Sequence, residues 1–232
     1  MLWKLYEQET VALFKKIIKP GMTIVDVGAH IGYFTRIFSR LADKNGIVYA
    51  LEADPENFRL LKKNTARLKN VCLFQLAVSD RAGETNFYRS EKSGCHSIIN
   101  LPQNKEIIMV PTANLDNLLM DTKNAQKIDL IKMDIEGGEM TALKGMVKIL
   151  NSNPNIALVI EFNPECLKMA NITPTDFIKT LSNFKFKIFS VQPNGLNAIN
   201  PQETAPEKYL STGAAFVNLF CIRNNNPRCH LN

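Results

Sequence analysis

Three observations in the sequence predict an α/β fold, a parallel sheet wrapped by helices. Apolar, β-branched runs alternate along the chain with stretches whose apolar residues recur at helical spacing, the pattern of successive βα units. Four of those runs carry an acid at their carboxyl end: Asp26, Glu52, Asp134 and Glu161. The first run, 23–27, breaks into Gly28-Ala29-His30-Ile31-Gly32 and enters a helix with Phe34, Ile37, Phe38 and Leu41 on one side. Glycine adopts positive φ without steric cost, so this turn suits the corner where an open α/β sheet meets its ligand.

At 232 residues the chain holds one domain with a sizeable core, and no shift in composition marks a second. Hydrophobic residues at 45% and charged residues at 22% match a soluble globular protein. The net charge of +6 would favour an anionic partner. However, Lys15, Lys16 and Lys19, and Lys62, Lys63, Arg67 and Lys69, fall on solvated helix faces with no aromatic-interleaved basic stripe, so a nucleic-acid partner is not expected. Cys72, Cys95, Cys166, Cys221 and Cys229 form no C-x-x-C pair and imply a reducing compartment; Cys72 and Cys221 lie in apolar runs, as small core residues do. The first residues lack the basic and apolar regions of a signal peptide, and no stretch is long enough to span a membrane. A cytoplasmic location is expected.

Residues 5–18 place Leu13, Phe14, Ile17 and Ile18 opposite Lys15, Lys16 and Lys19, an amphipathic helix that Pro20-Gly21 stops; 1–20 therefore reads as a helix packed on the domain. The main domain spans 21–223. After its first strand and helix, Asp43-Lys44-Asn45-Gly46 turns the chain into a second strand, 47–51, closed by Glu52. Asp54-Pro55, an N-cap acid with proline at the first helical position, opens a helix to about Leu68. The nearly unbroken apolar run 71–78 reads as a parallel strand covered on both faces. Beyond the turn Asp80-Arg81-Ala82-Gly83, short strands at 84–88 and 106–110 flank a polar loop with Ser93, Gly94, Cys95, His96 and Ser97. The insertion 84–110 lies beside the carboxyl edge of the sheet, where a long loop either serves function or fills surface. A helix at 115–120 and a fourth main strand at 128–134 follow, then a helix with Met140, Leu143, Val147 and Leu150 on its buried stripe and a fifth strand at 155–161. Thr173-Pro174 caps a helix to about Leu181, and 185–191 is a sixth strand. A polar connection from Gln192 to Gly213 leads to a last strand at 215–223 and a frayed tail at 224–232.

The ligand of the first corner is constrained by what is missing. A dinucleotide fingerprint needs G-x-G-x-x-G, whereas Ala29-His30-Ile31 separates Gly28 from Gly32, so the glycine that admits a pyrophosphate is absent. This counts against an NAD-dependent dehydrogenase. Glu52 stands at the end of the second strand, where a carboxylate accepts both hydroxyls of a ribose. A nucleoside without a pyrophosphate satisfies both facts, and S-adenosylmethionine is the common one. The same glycine spacing would also serve tight helix–sheet packing with no ligand at all.

Five blocks carry a resemblance: Asp26-Val27-Gly28-Ala29-His30-Ile31-Gly32, Glu52-Ala53-Asp54-Pro55, Ala77-Val78-Ser79-Asp80, Leu115-Asp116, and Lys132-Met133-Asp134-Ile135-Glu136-Gly137-Gly138-Glu139. In this order they resemble the FkbM-type family of S-adenosylmethionine-dependent methyltransferases, over about residues 5–165. The resemblance implies the Rossmann-like class I methyltransferase fold, a seven-stranded sheet parallel except for its final strand, with helices on both faces. It also implies that Gly28, Ala29, His30 and Gly32 line the methionine moiety of the cofactor, that Glu52 binds its ribose, and that Ala77 and Asp80 border its adenine. Asp26 would orient the turn or the cofactor's ammonium group. Many relatives carry Asn where this chain has His30, which would put a ring nitrogen in place of an amide.

Methyl transfer from a sulfonium is an in-line displacement, in which the protein aligns a nucleophile and takes the proton of a hydroxyl. Lys132, Asp134 and Glu136 alternate at the end of the fourth strand and in an extended chain would share one face. Asp134 or Glu136 would accept the proton or hold acceptor hydroxyls; Glu136 and Glu139 would equally serve as first-turn acids favoured by the helix dipole. His96 is the other candidate base, the alternative being a solvated loop histidine. Asp134, Glu161 and Asn163, at adjacent strand ends, offer the hard oxygen ligands that magnesium prefers, an arrangement similar to metal-dependent catechol methyltransferases, or else only order loops. The expected activity is O-methylation of a hydroxyl on a small-molecule or saccharide acceptor. An RNA or protein methyltransferase and a non-catalytic nucleotide-binding protein of the same fold are the alternatives.

Overall fold

A computed structural model describes residues 7–91, 95–102, 104–120, 127–202, 206–210, 214–223 and 226. Helix α1 (Gln8–Ile17) is followed by β1 (Thr23–Val27), α2 (Tyr33–Ala42), β2 (Ile47–Glu52), α3 (Pro55–Thr65) and β3 (Val71–Gln75). Next come β4 (Ala77–Val78), β5 (Gly83–Ser90), β6 (Asn104–Ala113), α4 (Leu115–Met120), β7 (Leu130–Met133), α5 (Glu139–Lys144), α6 (Val147–Ser152) and β8 (Ala157–Phe162). The chain closes with α7 (Pro164–Met169), α8 (Pro174–Asn183), β9 (Lys187–Gln192), β10 (Gly195–Ala198), a 3-10 turn at Pro206–Tyr209 and β11 (Val217–Ile222).

The main sheet has the order β10-β9-β11-β8-β7-β1-β2-β3. Strands β1, β2, β3, β7 and β8 pair in parallel, and β11 runs antiparallel between β8 and β9. The seven expected strands are all present with the last one reversed. An eighth, β10, arises in the connection read as polar: Pro193-Asn194 turns the chain and Gly195, at φ 118°, starts a hairpin on β9. Among the described residues no helix is long and apolar enough to cross a membrane.

Two apolar layers sandwich this sheet. Leu13, Phe14 and Ile17 of α1 and Phe34 and Phe38 of α2 pack with Ile24, Val48, Leu130 and Val159 on one face. The neighbouring strand positions Val25, Tyr49, Ile131 and Leu158 point the other way, to Leu115 and Leu119 of α4, Leu143 of α5, Ile149 of α6 and Phe177 of α8. Burial on both faces is why these strands are apolar throughout instead of alternating. Asp26 and Lys132 interrupt the first of these faces and are paired across it, as described below.

Several local expectations change. The run 71–78 is two strands: β3 ends at Gln75, and Ala77–Val78 joins β6 in a separate three-stranded sheet, order β4-β6-β5. Because β3 is the edge strand of the main sheet, Cys72 is exposed instead of lying in the core, whereas Cys221 is buried as expected. The insertion is therefore an antiparallel hairpin arm, longer than the two short strands expected, with β5 paired to β6. The single helix carrying Met140 to Leu150 is broken at Gly145, where a Cβ would lie 2.0 Å from the Ser79 carbonyl oxygen; Val147 consequently turns outward to 37% exposure. Helix α7 was unexpected, although Asn163-Pro164 supplies an N-cap and a first-turn proline. Residues 1–6, Ser93, Gly94, 211–213, Cys229 and all of the tail except Asn226 lie outside the described residues.

Leu115-Asp116 gains a physical role. The Asp116 carboxylate accepts from the backbone N–H groups of Lys148 (2.9 Å) and Ile149 (2.8 Å), capping α6 from a different helix. Asp116→Ala is expected to cost about 1–2 kcal/mol, the value of an N-cap. Urea unfolding would show this as a lower midpoint at unchanged slope, with a smaller loss for Asp116→Asn; equal stability of wild type and Asp116→Ala would remove the cap from the account.

Candidate active site

A cavity of about 450 Å3 opens at the carboxyl ends of β1, β2 and β7. Its walls are the turn after β1, the end of β2, the β3–β4 junction, the hairpin arm and the segment after β7. Of the expected site residues, Gly28, Ala29, His30, Glu52, Ala77, His96, Lys132, Asp134 and Glu136 all line it.

The turn after β1 is built by backbone geometry. Gly28, His30 and Gly32 have φ of 75°, 51° and 90°. His30 holds its left-handed φ because His, like Asn, is among the few side chains that tolerate it. A Cβ on Gly28 would sit 1.9 Å from the Asp134 carbonyl oxygen, and one on Gly32 would sit 2.8 Å from Leu61 Cδ1. The glycines therefore allow close approach to the protein itself, and the cavity receives backbone at Gly28 and Ala29. Gly32 is not on the wall; it precedes α2 and faces α3.

Glu52 is buried, and each carboxylate oxygen accepts one backbone N–H: His30 at 2.7 Å and Asp54 at 2.9 Å. Burial pushes its pKa up to about 7. Asp54 caps α3 through Glu56 and Asn57 N–H (both 2.9 Å) and pairs with Arg89 of the arm at 2.7 Å. Leu51, Ala53, Leu76, Ala77 and Val78 form an apolar wall beside Glu52, with Phe87 and Ile98 of the arm across from it. Asp80 is not part of this wall. It is exposed in its turn and accepts a local bond from Ser79, at 3.2 Å.

Beneath the turn lies a buried ion cluster. The Lys132 ammonium donates to the Gly28 carbonyl (3.2 Å) and to Asp134 (3.2 Å), stands 3.8 Å from Asp26, and lies 5.3 Å above the Phe34 ring. The flanking carboxylates push its pKa up against the opposing effect of burial. Asp26 is fully buried and does not reach the cavity; it accepts from Thr35 Oγ1 at 2.6 Å, so it orients the turn from below. Burial raises its pKa.

The segment after β7 differs from the extended chain expected. The strand ends at Met133, and Glu136 and Gly137 take left-handed φ of 51° and 96°. Lys132 and Asp134 still share a face, but Glu136 is carried into a turn, where its carboxylate takes side-chain bonds from Cys166 (3.3 Å), Cys95 and Asn163. Glu139 is buried and accepts from Ile135 N–H (3.1 Å) and Gly137 N–H (2.9 Å), which makes it the organiser of that turn. Burial pushes its pKa up to about 7.

His96 is held differently from a free base. Its Nδ1 accepts the Ser90 N–H at 2.9 Å, so in the neutral ring the proton sits on Nε2, which faces Asp54 at 3.9 Å. Neither nitrogen offers a lone pair to an acceptor hydroxyl in this orientation. The expected metal set also changes. Asn163 Oδ1 caps α7 through Cys166 N–H (3.3 Å), and the carboxylates whose oxygens come within 4.8 Å of one another are Asp134, Glu136 and Glu161. Burial and mutual repulsion raise the pKa of both Glu136 and Glu161. Tyr33, Phe34 and Asn57 also line the cavity; Tyr33 and Phe34 follow directly from the glycine turn, whereas nothing in the sequence marks Asn57 or Arg89.

A family model described as the methyltransferase FkbM domain matches residues 26–188. The hexuronic acid methyltransferase AglP of Haloferax volcanii is 26% identical over 182 residues, covering 77% of this chain and 69% of that protein. The 2-O-methyltransferase NoeI of Sinorhizobium fredii is 29% identical over 55% of this chain, and the 31-O-demethyl-FK506 methyltransferase FkbM of Streptomyces tacrolimicus is 28% identical over 56%. The chain spans 58% and 61% of the lengths of these two, less than two thirds. Among solved structures, a methyltransferase FkbM from Methylobacillus flagellatus superposes with a TM-score of 0.53 at 16% identity, over 91% of this chain and 50% of that one. Fibrillarin of Aeropyrum pernix, solved with bound S-adenosyl-L-methionine, superposes with a TM-score of 0.55 at 13% identity, over 95% of this chain and 76% of that one. At such identities the two structures speak to fold alone.

The buried acids make stability depend on pH. Glu52 and Glu139 hold their protons to about pH 7 when folded, against an ordinary 4.5, so the folded chain binds more protons between those limits. Their contribution is complete below the unfolded value and is lost as pH rises through the folded one, by up to about 3 kcal/mol per group. Urea unfolding is expected to show a lower midpoint near pH 8 than near pH 5.5, with Glu139→Gln narrowing the gap; a midpoint that rises over this window would contradict the burial argument.

Proposed function

The chain belongs to the methyltransferase FkbM domain family and is an S-adenosylmethionine-dependent methyltransferase, and from that premise we propose that it methylates a hydroxyl of a small molecule or saccharide. The observation that carries this reading is the Asp134 carboxylate, fixed on one side by Lys132 and standing on the cavity wall at 22% exposure. Two relatives named for 2-O and 31-O methyl transfer, and one named for hexuronic acid, support an oxygen acceptor.

The cavity suits the cofactor's chemistry. Each Glu52 oxygen spends one lone pair on a backbone N–H and keeps another for a ribose hydroxyl. The apolar wall around Ala77 suits a flat base, and the backbone at Gly28, Ala29 and His30 would hold the amino-acid end. Burial lowers the His30 pKa, so its ring is neutral at physiological pH and can accept as well as donate. When bound, the cofactor supplies an electrophilic methyl group on a sulfonium sulfur. Asp134 would take the proton that the acceptor hydroxyl loses as the sulfur–methyl bond breaks, its electrons staying on sulfur, and the oxygen–methyl bond forms. Lys132 keeps Asp134 oriented for that step. We also place the protein in the cytoplasm, a reading supported by the four described cysteines, which are held as thiols and not as disulfides.

Purified protein is expected to bind S-adenosylmethionine in calorimetry and to methylate members of a panel of hydroxylated small molecules and sugars. Asp134→Asn should lower kcat by about 100-fold or more while the cofactor Kd moves by less than about threefold. An unchanged kcat would remove Asp134 as the base. Cofactor binding with no transfer to any acceptor would favour a non-catalytic role.

A further inference from the structure

One corner of the cavity gathers more acidic groups than its cations pair. Asp134 and Glu136 stand on its wall, and Glu161, on the neighbouring strand β8, brings a carboxylate oxygen within 4.8 Å of theirs. Glu161 is only 7% exposed, and among the described residues it meets like charges and no hydrogen-bond donor. Among the described residues the ammonium nearby is that of Lys132, already committed to Gly28, Asp134 and Asp26. Glu7 reaches the same place from the residue ahead of α1. Its carboxylate accepts from the Asn218 amide at 2.7 Å, Asn218 sits opposite Glu161 in the β8–β11 register, and its charge acts on both Lys132 and Asp134. Glu7 also takes a left-handed φ of 45°, a conformation that costs a non-glycine residue energy and persists where the surroundings enforce it.

Asp134, Glu136 and Glu161 thus meet at this corner, Asp26 and Glu7 act on Lys132 behind it, and a cofactor, whose ammonium is offset by its own carboxylate, would add one net positive charge. Resting on the methyl-transfer reading above, we propose that this corner recognises a protonated amine borne by the acceptor beside the hydroxyl that is methylated. Amino sugars and amino polyols are then the preferred acceptors, and carboxylate-bearing sugars are refused. An ammonium donates three hydrogen bonds, and charge-assisted bonds to carboxylates are about twice as strong as neutral ones. A neutral polyol satisfies the lone pairs but leaves the repulsion among the acids; an acceptor carboxylate adds to it.

Calorimetric titration of methyl glucoside, methyl glucosaminide and methyl glucuronoside into the full chain saturated with S-adenosylhomocysteine tests this. The glucosaminide is expected to bind about tenfold or more tightly than the glucoside and the glucuronoside more weakly than either, with added salt narrowing the spread. Glu161→Gln and Glu7→Gln should each cut the amine preference to about threefold or less, so one variant suffices if the other does not fold. Equal or tighter binding of the glucuronoside, no binding of any of the three, or a preference unchanged in both variants would overturn the proposal. It would be overturned equally if sugar binding requires added magnesium and vanishes in chelator, because the acids then hold a metal. Since binding is read without turnover, this charge order without any methyl transfer would refute the transfer reading and leave the amine site standing.

Discussion

A single buried cation holds together the part of the molecule where chemistry takes place. Taking an ammonium out of water costs several kcal/mol, and Lys132 is stable inside the sheet only because carboxylates of two different segments meet it. Asp26 lies beside it in the β1–β7 register and is tied in turn to Thr35 of α2. Asp134 follows it on the same strand end, and the Gly28 carbonyl takes a further N–H. The cation therefore joins β1, β7, α2 and the glycine turn into one unit. Gly28 completes the contact, since any Cβ there would collide with the Asp134 carbonyl.

Two buried glutamates apply the same device on either side of that unit. Glu52 gathers the N–H groups of His30 and Asp54, fixing the turn after β1 against the start of α3. Glu139 gathers those of Ile135 and Gly137, fixing the left-handed turn that carries Glu136. In each case one carboxylate meets backbone donors that a buried turn would otherwise leave unpaired. The cavity walls are thus preorganised by side chains that are themselves buried and short of water.

The hairpin arm closes the third side. Arg89 reaches from β5 to Asp54, Glu56 and Glu106, and His96 is clasped between the Ser90 N–H and Asp54. Ser97 donates to the Glu136 carbonyl at 2.7 Å, which ties the arm to the turn after β7. The insertion is therefore integrated with both halves of the site, and its polar residues serve anchoring before they serve any acceptor.

By itself the sequence determined the sheet order's parallel core, the glycine corner, the acid-ended strands and the family to which they belong, because each of these is written in local periodicity or in short contiguous motifs. Gly28, Glu52, Lys132 and Asp134 were legible for that reason. What only the tertiary structure decided depends on residues far apart in the chain: the edge position that exposes Cys72, the Ser79 carbonyl that leaves no room for a Cβ at Gly145, and the exposed placement of Asp80 outside the wall. The same holds for Asn163, whose oxygen serves a helix cap, for His96, whose Nδ1 is taken by Ser90, and for the meeting of Glu7 with Glu161 across β11. No local pattern encodes which strand lies at an edge or which carboxylates share a corner, since those follow from how the sheet and its helices pack.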